Sequence, residues 1–149
     1  MSLTVDSAVS GGNSLGEGAF WDARRGLLWW LDVPLPSKLF SLDPASGATR
    51  SYDMHEMITS MRAMKDGRSL LIASHGGINR FDIASGTLTH LFRPEPTRPY
   101  NRCNDGGTDA KGRFWFGTMQ NNLAYDGTGI PIAAGAGTLF RLDPDMTLT

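Results

Sequence analysis

The sequence predicts an all-β protein of the β-propeller type, and three observations support this. A unit of about forty residues recurs along the chain, because the turn glycines Gly26, Gly67 and Gly112 lie 41 and 45 residues apart. Each unit contains short apolar runs bounded by Asp, Gly, Ser or Pro, which is typical of strands. No segment shows a sustained 3.6-residue apolar period, so no helix is expected.

The repeat divides the 149-residue chain into three predicted blades, residues 15–56, 57–100 and 101–149, within a single partial propeller domain. Residues 120–136 interrupt the third copy and read as a surface insertion loop, because they are rich in Gly, Pro and Ala. The segment 3–10 suits the closing strand of a last blade. Since propellers need about four to eight blades to close, a second chain or a C-terminal half is expected to complete the ring.

Within the blades, strands are predicted at Leu27–Leu31, Ser69–Ala73 and Arg113–Gly117, each rich in Leu, Ile or aromatic residues. About four strands per unit at a period near forty residues is the pattern of propeller blades. A sandwich of about twelve strands is the alternative. The repeated spacing of the turns and of the "LD" pairs argues against it.

Composition excludes several classes of function. Fourteen Lys and Arg against fifteen Asp and Glu give a formal charge of −1, so neither nucleic acid nor an anionic membrane is an expected partner. No apolar stretch approaches the roughly 20 residues that span a bilayer. Cys103 is the single cysteine and cannot form an internal disulfide. The sequence therefore predicts a soluble, cytoplasmic protein.

Superposing the repeats places three polar residues at one equivalent position. Aligning the turns brings Glu17, Thr59 and Asn104 into register. Because the first strand of each blade lines the central channel of a propeller, we expect these side chains to converge at one mouth of that channel. The neighbours expected beside them are Ser60, Arg102 and Asp105.

Converging carboxylate, amide and hydroxyl oxygens favour a hard cation such as Ca²⁺ or Mg²⁺. Arg102 adds a planar cationic group that suits a carbonyl, a carboxylate or a polyol. The alternative is that Asn104–Gly106 is simple turn chemistry and that Glu17 is a solvated edge residue. Of the three histidines, only His75, before a Gly-Gly turn, is expected near the channel mouth.

Two potential nucleophiles are disfavoured. "GNSLG" around Ser14 fits the nucleophile-elbow pattern, but the elbow requires a preceding strand and a following helix, which the sequence does not predict. Cys103 has no evident base nearby and is expected to face away from the channel.

Three stretches, "SLGEGAFWDARRGLLWWLDV", "NRCNDGGTDAKGRFWFGTM" and "GTLFRLDPD", resemble the gluconolactonase, regucalcin (senescence marker protein) and luciferin-regenerating enzyme family of six-bladed propellers. The resemblance spans Leu15 to Asp145 in the right order and spacing. It implies one divalent metal on the channel axis, Ca²⁺ or Zn²⁺ with Mg²⁺ or Mn²⁺ as alternatives. It also implies hydrolysis of aldonolactones.

The resemblance assigns roles to individual residues. Glu17 in "GEG" matches the family's first metal ligand, and Arg102 and Asn104 match the pair that holds the sugar lactone. The family's other two protein ligands, an Asn and an Asp that is also the general base, belong to the second half of the propeller. No catalytic residue is therefore assigned within this chain. Some relatives carry an acidic residue after "GTM", where this chain has Gln120, Asn121 and the candidate pocket residue Asn122.

The predicted function is divalent-metal-dependent hydrolysis of a sugar lactone, with half of the site in this chain. Two alternatives remain open. One is a non-catalytic calcium-binding propeller or interaction module, since a fold does not fix a function. The other is an inactive fragment whose open faces drive association.

Overall fold

Three antiparallel sheets, called blades 1 to 3, follow one another in the computed structural model, which describes residues 3–133 and 135–149. Blade 1 contains β1 (Gly16–Asp22), β2 (Leu27–Asp32), β3 (Lys38–Leu42) and β4 (Thr49–Asp53). Blade 2 contains β5 (Ile58–Ala63), β6 (Ser69–Ser74), β7 (Ile78–Asp82) and β8 (Thr87–Phe92). Blade 3 contains β9 (Asn101–Thr108), β10 (Phe114–Gln120) and β11 (Leu139–Leu142). Each strand pairs with the next along the chain, so each blade is an up-and-down meander.

The all-β prediction is confirmed, because the described residues contain strands and turns but no helix. Blade 3 differs from the predicted four strands, since it has three. Its fourth position is marked by a single bridge between Leu142 and Leu148 and by backbone hydrogen bonds of 2.8 and 2.9 Å between Arg141 and Thr149. One bridge does not make a strand, which is why the count is lower.

Blades 1 and 2 pack face to face through alternate residues of their second strands. Trp29 and Leu31 of β2 are fully buried and share a core cluster with Leu70 and Ile72 of β6. Alternate side chains of a strand point to opposite faces, so this contact uses one face of each sheet.

Blades 2 and 3 repeat this packing with the opposite face of β6. Leu71 and Ala73 lie in a second core cluster with Phe114 and Phe116 of β10. Blade 2 is therefore covered on both faces, whereas blades 1 and 3 are each covered by blade 2 on one.

The first hairpin of every blade uses the same turn device. The turn glycines Gly26, Gly67 and Gly112 have φ of 66, 67 and 76°, a conformation that side-chain-bearing residues rarely adopt. An aspartate carboxylate in each turn accepts a backbone N–H hydrogen bond at 2.9–3.2 Å, and these aspartates are Asp22, Asp66 and Asp109. The glycine spacing that revealed the repeat thus reflects a backbone requirement.

Two segments lie outside the regular sheets. Residues 3–15 form no strand, so the role predicted for segment 3–10 in closing a last blade stays a prediction. The insertion predicted at 120–136 follows β10 and is irregular, with one bridge between Leu123 and Gly129. Within the described ranges, no helix is long and apolar enough to cross a bilayer. The cytoplasmic location stays a prediction.

Candidate functional site

The first strands of the three blades, β1, β5 and β9, lie side by side on the inner side of the partial ring. Each one shifts register against its partner close to a predicted site residue. The shifts fall between Glu17 and Phe20, between Ile58 and Ser60, and opposite Phe116–Thr118. A bulge adds one residue and redirects side chains, and bulges are common beside active sites.

Arg102 is the centre of a network that joins the insertion to β9. One guanidinium nitrogen, Nη1, donates to Asn104 Oδ1 and to the Cys103 carbonyl, both at 2.9 Å. The other, Nη2, donates to Asn122 Oδ1 at 2.9 Å. Thr59 Oγ1 on β5 donates to the Asn104 carbonyl at 3.0 Å, which ties blade 2 to the same group. Since Arg102 is 8% exposed, its guanidinium is held in one place.

Glu17 lies on blade 1, yet its charge reaches Arg102 on blade 3. Burial lowers the pKa of the Arg102 guanidinium, and the negative charge of Glu17 opposes this by raising it. The carboxylate of Glu17 is exposed, and no described residue donates a hydrogen bond to it. An exposed carboxylate of blade 1 thus acts electrostatically on a fixed guanidinium of blade 3.

Ser60 is the second predicted polar residue of β5, and its hydroxyl is unusual. The residue is fully buried, and its Oγ has no hydrogen-bond partner among the described residues. Close by, the backbone of Gly18 has φ of 66°, and a Cβ built there would lie 4.0 Å from Ser60 Cα. Blades 1 and 2 therefore approach closely beside Glu17.

His75 is half-buried on the connection between β6 and β7, with its ring centroid 5.9 Å from that of Tyr125. Burial lowers the pKa of the imidazole, and the charges of Arg93 and Arg102 lower it further, whereas Glu56 opposes them. The lowered pKa of His75 favours the neutral form of its imidazole.

Asp105 lies apart from this network. Its carboxylate accepts a hydrogen bond from the Gly106 N–H at 2.7 Å, and its charge acts on the guanidinium of Arg62. Arg62 in turn donates to the Gly106 carbonyl. Its predicted place in the pocket stays a prediction.

Sequence reasoning missed Glu95, a buried carboxylate that anchors the start of β9. Glu95 accepts hydrogen bonds from Asn101 Nδ2 and Thr138 Oγ1, both at 2.9 Å, and from Arg98 at 3.1 Å. Burial tends to raise the pKa of this carboxyl, but the hydrogen bonds lower it below its usual value. Its signal in the sequence is the rigid segment "PEP", which gives no hint of the partners.

Neither rival nucleophile is placed for catalysis. The Cys103 side chain is buried in the core between blades 2 and 3, and burial raises the pKa of its thiol to about 12. Ser14 precedes β1 and is followed by a strand, not by a helix. Among residues 3–133 and 135–149, no three His, Cys, Asp or Glu side chains gather as a metal site.

The stacked antiparallel meanders, with polar residues on their inner strands, define part of a β-propeller. The family profile described as "SMP-30/Gluconolactonase/LRE-like region" matches residues 15–149. The chain therefore belongs to this family, as its motifs predicted.

Two curated relatives illustrate the match. The chain is 32% identical over 136 residues to L-arabinolactonase of Azospirillum brasilense, covering 91% of this chain and 42% of the relative. It is 30% identical over 146 residues to 6-deoxy-6-sulfogluconolactonase of Pseudomonas putida, covering 97% and 46%.

A solved structure of a calcium-binding protein, regucalcin, from Agrobacterium tumefaciens superposes with a TM-score of 0.78 at 30% identity. The match covers 95% of this chain and 44% of that one. The chain thus spans less than half the length of the relatives that it matches.

Proposed function

We propose that this chain carries the substrate-holding half of a divalent-metal-dependent sugar-lactone hydrolase. The observation that carries this proposal is the Arg102 guanidinium, fixed between Asn104 and Asn122 and within electrostatic range of Glu17. The names of the relatives as lactonases support the reaction class. The remaining part of the site belongs to a further stretch of polypeptide.

The residues present offer the type of ligand atom that a divalent metal prefers, but too few of these ligands to hold the metal alone. Glu17 offers an exposed carboxylate to which no described group donates a hydrogen bond, which suits a hard cation. Calcium requires about six to eight oxygen ligands, so this carboxylate would be one of several. A metal bound there would polarise a carbonyl oxygen and acidify a water molecule.

Arg102 and Asn104 would position the substrate. Because Asn104 Oδ1 accepts from Arg102, its Nδ2 group is left to donate to a substrate oxygen. The outward donors of the guanidinium suit a second oxygen, and one donor aimed at a developing oxyanion contributes roughly 2.7–4 kcal/mol in other hydrolases. Asn122 holds Arg102 without neutralising its charge. A general base has to come from outside these residues.

The test is a chimera that joins residues 1–149 to the second half of the A. brasilense L-arabinolactonase. We expect hydrolysis of an aldonolactone in the presence of Ca²⁺, Zn²⁺ or Mn²⁺, at least about a hundredfold slower in Glu17→Gln. Asp53→Asn, on the outer strand β4 with its carboxylate 80% exposed, is the matched control and should retain activity.

The principal rival, a non-catalytic calcium-binding propeller, gives a different result in this experiment. The folded chimera would bind Ca²⁺ with Glu17 dependence but hydrolyse none of the lactones. That outcome would contradict the hydrolase proposal and support the rival.

A further inference from the structure

A recess lies at the opposite end of the inner strands from the candidate site. The residues of that site stand near the starts of β1, β5 and β9, whereas this recess is lined by the ends of the same strands and by two hairpin turns, at residues 20–25, 62–65 and Thr108. β5 and β9 run in the same direction, because Arg62 near the end of β5 donates to the Gly106 carbonyl near the end of β9. Since a strand rises about 3.3 Å per residue, roughly 15–20 Å separate the two places.

This cavity, which we call the turn recess, is lined by an excess of cations. Its charged side chains are four cations and one carboxylate, namely Arg24, Arg25, Arg62, Lys65 and Asp22. Asp22 forms an ion pair with Arg25, so these two charges compensate each other. Within residues 3–133 and 135–149, the other three cations have no carboxylate oxygen within 4 Å. Asp105, whose charge acts on Arg62, does not line the recess.

Two of the guanidinium groups are held in place by backbone carbonyls. Arg24 Nη1 donates to the Lys65 carbonyl at 2.8 Å, so the Arg24 side chain reaches from the turn of blade 1 to the turn of blade 2. Arg62 is half-buried and donates to the Gly106 carbonyl, and its guanidinium carbon lies 5.6 Å from the ring centroid of Phe20. Because a guanidinium has five N–H donors, both groups keep donors for a ligand. Donors that are fixed in advance lose little entropy on binding.

We propose that the turn recess binds a phosphorylated small molecule between the turns of blades 1 and 2. A phosphate group carries close to two negative charges and three acceptor oxygens, which suits three cations without carboxylate partners. Guanidinium groups bind phosphate oxygens through paired, charge-assisted hydrogen bonds. The volume of the recess, about 300 Å³, lies at the lower end of the range for small-molecule sites.

This site does not rest on the proposed lactone hydrolysis. Every residue that lines the turn recess belongs to blades 1 to 3, so the recess is complete within this chain. A ligand that joins two blades binds the folded chain and not the unfolded one, and it should therefore also raise the unfolding midpoint.

Isothermal titration calorimetry with pyrophosphate tests the proposal, on the 149-residue chain and on the chimera described above. We expect one site with a dissociation constant below about 1 mM. Arg24→Gln and Lys65→Gln should each weaken binding at least about tenfold, because each removes a charge-assisted hydrogen bond. Both side chains are exposed, so these variants should fold, which far-ultraviolet circular dichroism checks. Arg50→Gln, exposed on the outer strand β4, loses the same charge and is the matched control, with unchanged binding.

Two further titrations make the result specific. Arg102→Gln should leave pyrophosphate binding unchanged, because Arg102 lies at the other end of the inner strands. Loss of binding in that variant would place the anion at the candidate lactone site and overturn the proposal. Equal weakening by Arg50→Gln, tighter binding of citrate than of pyrophosphate, or no binding by the folded parent would overturn it as well. Lactone hydrolysis by the chimera is measured separately, so failure of one proposal leaves the other standing.

Discussion

The middle blade and the two outer blades differ in how their second strands are buried. All six residues of β6 in blade 2 are buried, whereas β2 and β10 alternate between buried and half-buried positions. The three strands nevertheless carry apolar or small residues on both faces. A blade of this type is therefore stabilised chiefly by packing against its neighbours, and its second strand carries residues suited to contacts on both faces.

The largest expected effect compares a covered face with an open one. Phe81→Ala, between blades 1 and 2, should lower the free energy of unfolding by about 3–5 kcal/mol, because it empties a fully buried site beside Tyr52. Leu28→Ala on the open face should cost about 1 kcal/mol, since its side chain is already partly solvated. Urea denaturation measures both. Equal losses would mean that the face of blade 1 that carries Leu28 is as well covered as the face that packs on blade 2.

A second comparison concerns two buried hydroxyls of blade 2. Ser74 Oγ accepts a hydrogen bond from Asn79 at 2.8 Å and donates to the Gly77 carbonyl at 3.0 Å, so Ser74→Ala should cost about 1–3 kcal/mol by removing these buried hydrogen bonds. Ser60→Ala removes a hydroxyl without a partner and should be neutral or stabilise by up to about 1 kcal/mol. Urea denaturation midpoints, compared at a constant denaturant slope, measure the change in unfolding free energy of both variants. A Ser60→Ala loss as large as that of Ser74→Ala would contradict the finding that the Ser60 hydroxyl has no stabilising hydrogen bond.

The smallest expected effect is the change in folding stability at acid pH that arises from the turn aspartates. These turns occur in the covered blade and in the outer blades alike. Partial burial tends to raise the pKa of Asp66, but the backbone N–H groups of Arg68 and Ser69 donate to its carboxylate and lower the pKa to about 2. A carboxylate with a lowered pKa stabilises the fold above its unfolded-state pKa near 4, and this contribution is lost as the pH falls toward 2.

Asp66→Asn should therefore be less stable than the parent at pH 6, and the difference should shrink between pH 4 and pH 2. Asp109→Asn in blade 3 should follow the same direction, because hydrogen bonds from Arg113 and Trp115 lower the pKa of that carboxyl. Thermal unfolding across this pH range measures both differences. A gap that stays constant down to pH 2 would show that the carboxylate charge is not what braces the turn.

The sequence predicted the features that depend on local chemistry. The turn glycines Gly26, Gly67 and Gly112 marked the repeat because their positive φ is a local requirement, and the apolar runs located β2, β6 and β10. The family motif assigned roles to Glu17, Arg102 and Asn104, and these roles stay predictions.

Features that depend on register and on distant partners were not predictable. The bulges of the inner strands arise from the register of pairing between strands, and no pattern of residues in the sequence predicted their positions. The structural role of Glu95 depends on its hydrogen bonds with Asn101 and Thr138, and Thr138 is 43 residues away in the sequence. The orphaned hydroxyl of Ser60 likewise follows from packing between blades.

The central claim is that residues from separate blades form one site, and a double-mutant cycle in the active chimera tests it most directly. Glu17→Gln, Arg102→Lys and the double variant are compared by kcat/KM on one aldonolactone with one metal. Because residues that act as a unit are strongly non-additive, the double variant should lose little more activity than the more damaging single variant. Losses that multiply would show that Glu17 and Arg102 act independently, and a shared site at the pore would then be untenable.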